Sequence, residues 1–267
     1  MFNKYTWEKI SELIPIGSYP KLPCPYCNSD TLEIDESSLL VRKLSGVALS
    51  SYIDKFKSSD LVSVTKDDHA FMKVIAVLGA IADSTMHDPS QFLAFFKCSM
   101  CNENVSSIGI AKVPKSDTSG IIQIKVENFN PPIPMFQLNS VTPKSINEEL
   151  ISSFSHFHAD TCSSGNRLRR AMEKLCKELG CYQGNLHRSI QALSKEYPQE
   201  AKWLEPLKLV GNEATHADGV TESDLLDSFH VFEVVLDIFR RREIEASVNS
   251  TVARLENKFK NITKQSR

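Results

Sequence analysis

Apolar and polar positions follow two different periods along this chain, and the change of period divides it. In the first half the signals are short and strand-like. Phe92–Lys97, Val105–Val113 and Ile121–Val126 read as strands, with a polar turn at Ser116–Gly120 between the last two, and a further strand is expected near Leu39–Val41. Trp7, Ile10, Leu13 and Ile14 have helical spacing until Pro15 and Pro20 break it, Val47–Phe56 reads as a helix, and the apolar run Ala70–Ala82 predicts a buried helix over Asp68–Asp83. Pro131, Pro132 and Pro134 then close the sheet-like part, because proline cannot continue a sheet interior.

Beyond Pro143 the apolar period becomes helical. Ile146–Ala159 is one expected helix. Asn166–Leu179 is a second, striped by Leu168, Met172, Leu175 and Leu179 and stopped by Gly180. Leu186–Tyr197 is a third. Ala201–His216 is a fourth, with Trp203, Leu204, Leu207 and Val210 expected inward and Pro206 as a point of kinking. Thr221-x-x-Asp224 has the form of a capping box and opens a fifth helix striped by Leu225, Phe229, Phe232, Leu236 and Phe239. Residues 246–267 are polar with sparse apolar positions (Val252, Leu255, Phe259, Ile262), which predicts a helical extension or a partner-binding arm. The expected organisation is therefore a module over 1–143 with an insertion at 28–97, a helical bundle over 144–245, and a tail over 246–267.

The cysteines change this picture most. Four of the seven form Cys24-Pro-Tyr-Cys27 and Cys98-Ser-Met-Cys101. Two such knuckles can turn four thiolates onto one tetrahedral zinc ion, so these cysteines are the expected ligands of a structural Zn²⁺ in a Cys₄ ribbon. Four thiolates would leave no open coordination position, which predicts a non-catalytic metal. The competing readings are two unrelated pairs or a redox C-x-x-C.

Composition adds bounds. Hydrophobic residues make up 41% and charged residues 24%, both globular values, and the net charge of −2 gives no bulk attraction to nucleic acid or anionic membrane. The longest apolar run is too short to span a bilayer. The opening residues show no basic segment followed by an apolar core, and paired cysteines favour metal over disulfides, so a cytoplasmic setting is expected.

Three clusters carry candidate chemistry. Arg167, Arg170 and Lys174 fall on one side of the second helical pattern, either as a solvated face or as a phosphate-binding strip. Arg169 stands four residues before Glu173 and can pair with it. In Gly211-Asn-Glu-Ala-Thr-His216, Asn212 and His216 lie about 40° apart on a helix. They can bond each other within a bundle, or serve as an acid/base couple with Lys208 as the nearest cation.

The words Arg169-Arg-Ala-Met-Glu-Lys-Leu-Cys-Lys-Glu-Leu-Gly180 and Leu209-Val-Gly-Asn-Glu-Ala-Thr-His216, with Asp224-Leu-Leu226 after an acidic turn, resemble the bacterial domain-of-unknown-function (DUF) family 4145, grouped with the HEPN superfamily. The resemblance covers about residues 150–243. It implies an all-α HEPN-like bundle, often preceded by a zinc ribbon. With the Cys₄ ribbon and its helical insertion, for which the family offers no counterpart, the expected fold class is α+β. Active members of that superfamily are metal-independent ribonucleases, dimeric across a cleft, whose Arg-x(4–6)-His motif supplies a cation and an acid/base. Here His216 and Asn212 carry over, but Gly211 stands where the arginine belongs.

The resulting expectation is a non-catalytic or weakly active zinc-containing binding and dimerisation protein of a bacterial anti-phage defence or stress system. Its expected partners are a second copy through the bundle, a protein of the same system, and RNA or a nucleotide. The alternatives are a metal-independent endoribonuclease, with His216 as acid/base, Asn212 orienting, and Lys208 or Arg170 on the phosphate, and a DNA-binding regulator.

Overall fold

A computed structural model describes residues 2–51, 87–115, 120–213 and 220–265, with the backbone alone at 211–213 and 259–265. The expected helix over Asp68–Asp83, most of the one over Val47–Phe56 and the turn at Ser116–Gly120 fall wholly or largely outside these residues. The chain forms two compact units, Tyr5–Ile133 and Pro134–Arg267, the second joined by the first four residues.

The first unit is built on a five-stranded antiparallel sheet. Helix α1 (Lys4–Ile10) leads into the short β1 (Ile14–Pro15), followed by β2 (Leu32–Lys43), β3 (His87–Cys98), β4 (Asn104–Pro114) and β5 (Gln123–Asn130), in the spatial order β1-β5-β4-β3-β2. Leu13 and Ile14 do not extend the first helix; Ile14 pairs with Ile124 at the sheet edge instead. Strand β3 alternates cleanly, with Phe92, Ala94, Phe96 and Cys98 buried. Phe96 packs edge-on against Tyr19 and Phe129. On the opposite face Leu40, Leu93 and Ile108 form one exposed row across three strands. A bulge at Ile108/Gly109 brings β4 so close to β5 that a Cβ on Gly109 would sit 2.1 Å from the Lys125 carbonyl oxygen. The cysteine pairs therefore sit on a sheet of long strands, and the stretch 28–97 expected as an insertion supplies two of them, β2 and β3.

The second unit is helical: α2 (Lys144–His156), α3 (Thr161–Glu178), α4 (Leu186–Leu193), α5 (Pro198–Glu213) and α6 (Glu222–Gln265). Helices α2 and α3 meet through small residues, where the buried Ser153 and Ser164 hydroxyls donate to each other's carbonyl oxygens at 2.7 and 2.9 Å. Phe136, Phe154, Phe157 and Phe229 pack edge-on or tilted through the core with ring centroids 5.1–6.0 Å apart. Asp160 caps α3 by accepting from the Ser163 amide. The Thr221/Asp224 capping box forms reciprocally, at 2.9 and 3.2 Å.

One expectation is corrected. Leu204 and Leu207 are buried on α5, but Trp203 is 36% exposed, because the inward stripe is centred on Glu200, Leu204 and Leu207 and Trp203 lies at its edge. Of the two forms expected for the tail, the structure has the helical extension: α6 runs unbroken for 44 residues, about 66 Å, from the core into residues 246–265. Among the described residues, no helix is long and apolar enough to cross a membrane.

Candidate metal centre

The two C-x-x-C words fold into the same knuckle. In the first, the Cys24 amide donates to the Ser29 carbonyl at 2.8 Å and the Asn28 amide to the Cys24 carbonyl at 2.9 Å. In the second, the Cys98 amide donates to the Glu103 carbonyl at 3.0 Å and the Asn102 amide to the Cys98 carbonyl at 2.9 Å. Each turn closes on a left-handed asparagine, Asn28 at φ 58° and Asn102 at φ 63°, a conformation asparagine tolerates better than most residues. The first cysteine of each pair is buried, while Cys27 is exposed and Cys101 half-buried.

Strand pairing brings the knuckles together. Leu32 opens β2 opposite Cys98 at the end of β3, and the Ser99 amide donates to the Thr31 carbonyl at 3.2 Å. Cys27 and Cys98 are 71 positions apart, yet their sulfurs are separated by 3.7 Å, as are those of Cys24 and Cys101. All four sulfurs lie within 4.8 Å of one another. Tetrahedral bonds of about 2.3 Å require sulfur–sulfur edges of about 3.8 Å, so the four cysteines are spaced to hold one metal ion.

The electrostatics agree with the spacing. Burial alone would raise the Cys98 thiol, but hydroxyls of Ser29 and Thr31, at 3.4 and 3.3 Å, and two backbone amides hold it near a pKa of about 5. The Ser29 hydroxyl, 3.0 Å from Cys27, lowers that thiol too. Cys101 is pushed up to about 12: the Glu103 amide favours its thiolate, but burial and the Cys98, Cys24 and Cys27 sulfurs outweigh it. Burial raises Cys24 as well. Four sulfurs at this distance can all become thiolates only around a cation. Sequence reading missed the roles of Ser29 and Thr31, although both follow the first knuckle directly.

The other candidate residues belong to the helical unit. Arg167 and Arg170 converge on one carboxylate, the nearly buried Glu149 of α2, at 3.1 and 2.9 Å. Arg169 pairs with Glu173 at 3.5 Å, and Lys174 is half-buried on the same helix. Lys208 donates to Glu205 at 2.6 Å and to His187 Nδ1 at 3.0 Å. Sequence reading had no use for Glu149 or His187; an acid one turn from Ile146 on an inward stripe was the available signal for Glu149. Asn212 lies in the last turn of α5 by backbone alone, and His216 falls outside the described residues.

The helical words quoted from the sequence fall on α3, on the end of α5 as far as Glu213, and on the start of α6. Residues 152–265 match the family Domain of unknown function (DUF4145). The DUF4145 match begins late in α2 and runs to the end of α6, so it takes in the exposed tail as well as the packed helices. The cysteine knuckles lie outside it. No curated protein and no solved structure matches the chain.

Proposed function

We propose that this chain is a zinc-stabilised binding and dimerisation protein, non-catalytic or weakly active, working in a bacterial anti-phage defence or stress system. The observation that carries the non-catalytic half is the engagement of three of the four candidate cations, Lys174 being the fourth. Arg167 and Arg170 spend their guanidinium groups on Glu149, and Lys208 spends its ammonium on Glu205 and His187. With Gly211 in the arginine position, a ribonuclease would need one of these to stabilise a phosphorane, and loss of one such donor typically lowers a rate by about 10²–10³.

Zinc is the metal that best suits four thiolates with edges of 3.7 Å, and Cys24, Cys27, Cys98 and Cys101 would fill its tetrahedron and tie the knuckles together. The HEPN-like character of the helical unit, and with it the setting and the affinity for RNA or a nucleotide, rests on the sequence resemblance. The test is one preparation measured twice. Elemental analysis should find one zinc per chain, and incubation with single-stranded RNA in EDTA should leave the RNA intact. Cleavage that survives EDTA, yields a 2′,3′-cyclic phosphate and disappears in His216→Ala would replace this reading with the ribonuclease.

A further inference from the structure

The two cysteine knuckles match in backbone and differ in the side chains that follow them. Counting from the first cysteine of each, Ser29 corresponds to Glu103 and Thr31 to Val105. The backbone bonds are equivalent: the Ser29 and Glu103 carbonyls accept from the Cys24 and Cys98 amides at 2.8 and 3.0 Å. The side chains are not. A metal-bound thiolate can only accept a hydrogen bond, so a hydroxyl beside it is the donor. The Ser29 hydroxyl lies 3.0 Å from Cys27 and 3.4 Å from Cys98, and the Thr31 hydroxyl 3.3 Å from Cys98. Each hydroxyl has one proton, so Ser29 serves Cys27 at the shorter distance and Thr31 serves Cys98. The second knuckle carries a carboxylate and an isopropyl group in the same places. Among the described residues, no hydroxyl reaches Cys101 or Cys24.

Access divides the four sulfurs differently. Cys24 and Cys98 are buried, Cys27 is exposed and Cys101 is half-buried. A reagent from solvent can therefore approach Cys27 or Cys101, and the thiolate is the form that attacks it. Exposure favours Cys27, whereas hydrogen bonding favours Cys101. A bond donated to a thiolate weakens as the sulfur lone pair moves onto an electrophile, and a bond to a charged group is worth roughly a factor of ten or more. Access scales roughly with exposed area, but the lost bond enters the barrier exponentially. The hydrogen bond decides between them.

We infer that Cys101 is the reactive sulfur of the metal centre, the first of the four to be modified by a soft carbon electrophile. This deepens the zinc half of the proposed function and rests on it. With an α,β-unsaturated carbonyl compound, a Cys101 lone pair forms the S–C bond to the alkene carbon. The C=C π pair moves to the neighbouring carbon, and water protonates that carbon and leaves as hydroxide. Cys101 ends as an uncharged thioether, a weaker ligand than the thiolate it replaces. The centre therefore opens at the half-buried corner that Cys101 holds, while Cys27 and Cys98 keep their hydroxyl partners.

Labelling of the zinc-loaded full chain with a substoichiometric amount of N-ethylmaleimide tests this. Peptide mass spectrometry of singly labelled chains reads which of the four cysteines reacted, and a chromogenic chelator reads released zinc. Label on Cys101 should exceed label on Cys27 by at least about tenfold, and it should be accompanied by zinc release. Glu103→Ser places a hydroxyl where Ser29 stands in the first knuckle, and should slow Cys101 about tenfold while Cys27 is unchanged. Glu103→Ala removes the carboxylate without adding a donor and should leave the Cys101 rate within about twofold. Glu103 is exposed and its bond to Cys98 is made by its backbone, so both variants keep the knuckle. Label found first on Cys27, Cys24 or Cys98, or a Cys101 rate that Glu103→Ser leaves unchanged, would overturn the inference and leave the zinc reading standing. Elemental analysis of the same sample separates the other failure: a chain that binds no zinc would overturn the metal reading and the inference with it.

Discussion

Replacing Glu149 with alanine tests the assignment of the two arginines most directly. Its carboxylate is 9% exposed, accepts from Arg167 and is ion-paired with Arg170, which are 38% and 56% exposed. Removing one partner of a fully buried pair typically costs about 3–5 kcal/mol, because the other charge is stranded. Here both guanidinium groups can swing into water, so that penalty is largely avoided, and the loss reduces to one charge-assisted hydrogen bond and one ion pair, discounted for solvent screening. The expected destabilisation is about 2 kcal/mol, or roughly 6–10 °C in the unfolding midpoint of a helical unit of this size. Arg167→Ala and Arg170→Ala should each cost about half as much, since the other arginine still neutralises Glu149. Scanning calorimetry of the three single variants and the double arginine variant supplies the cycle. If Glu149→Ala leaves the midpoint unchanged while the double arginine variant loses RNA affinity at wild-type stability, the arginines serve a ligand and not the fold, and the argument against catalysis weakens with them.

Two further outcomes are expected. The Ser163 hydroxyl and then its amide hold the Asp160 carboxyl below its ordinary value, so the cap's contribution is fully present above about pH 4 and fades as pH falls through the depressed value; Asp160→Ala should cost about 1 kcal/mol at pH 7 by urea unfolding, and a gap from wild type that does not narrow toward pH 3 would refute the linkage. Gly109→Ala forces a Cβ to within 2.1 Å of the Lys125 carbonyl and should cost about 3 kcal/mol or more, whereas a loss under about 1 kcal/mol would show that β4 and β5 can separate at the bulge.

What the sequence made legible was what local chemistry determines. The knuckles were readable because C-x-x-C followed by asparagine is a complete turn, and the period-2 pattern of Phe92–Lys97 was readable because one face of β3 is buried and the other is not. Strand β2 was read as three residues instead of twelve, because the irregularity between Asp35 and Leu40 breaks its alternation. The first turn of α3, Thr161–Gly165, was missed because small polar residues carry no apolar stripe; the cap at Asp160 was the better signal. The pairing of Glu149 with residues 18 and 21 positions later depends on how α2 and α3 meet, which no local pattern encodes.

The ladder between β2 and β3 has a consequence for the long stretch between the two knuckles. Their pairing runs from Leu32 opposite Cys98 to Lys43 opposite Ser90, and the Leu44 amide reaches the Pro89 carbonyl at 3.0 Å. The chain therefore leaves the sheet and re-enters it at one place, some ten residues, or about 30 Å, along the strands from the cysteines. In topological terms β2 and β3 are the two arms of one hairpin. Loop-closure entropy grows only with the logarithm of loop length. The number of residues joining the far ends of the two arms therefore adds little to the entropy of assembling the four sulfurs, because the ladder itself brings the knuckle ends into register. Coordination geometry is thus set at one end of the hairpin by strand pairing, and not by the length of chain that separates the two cysteine words in sequence.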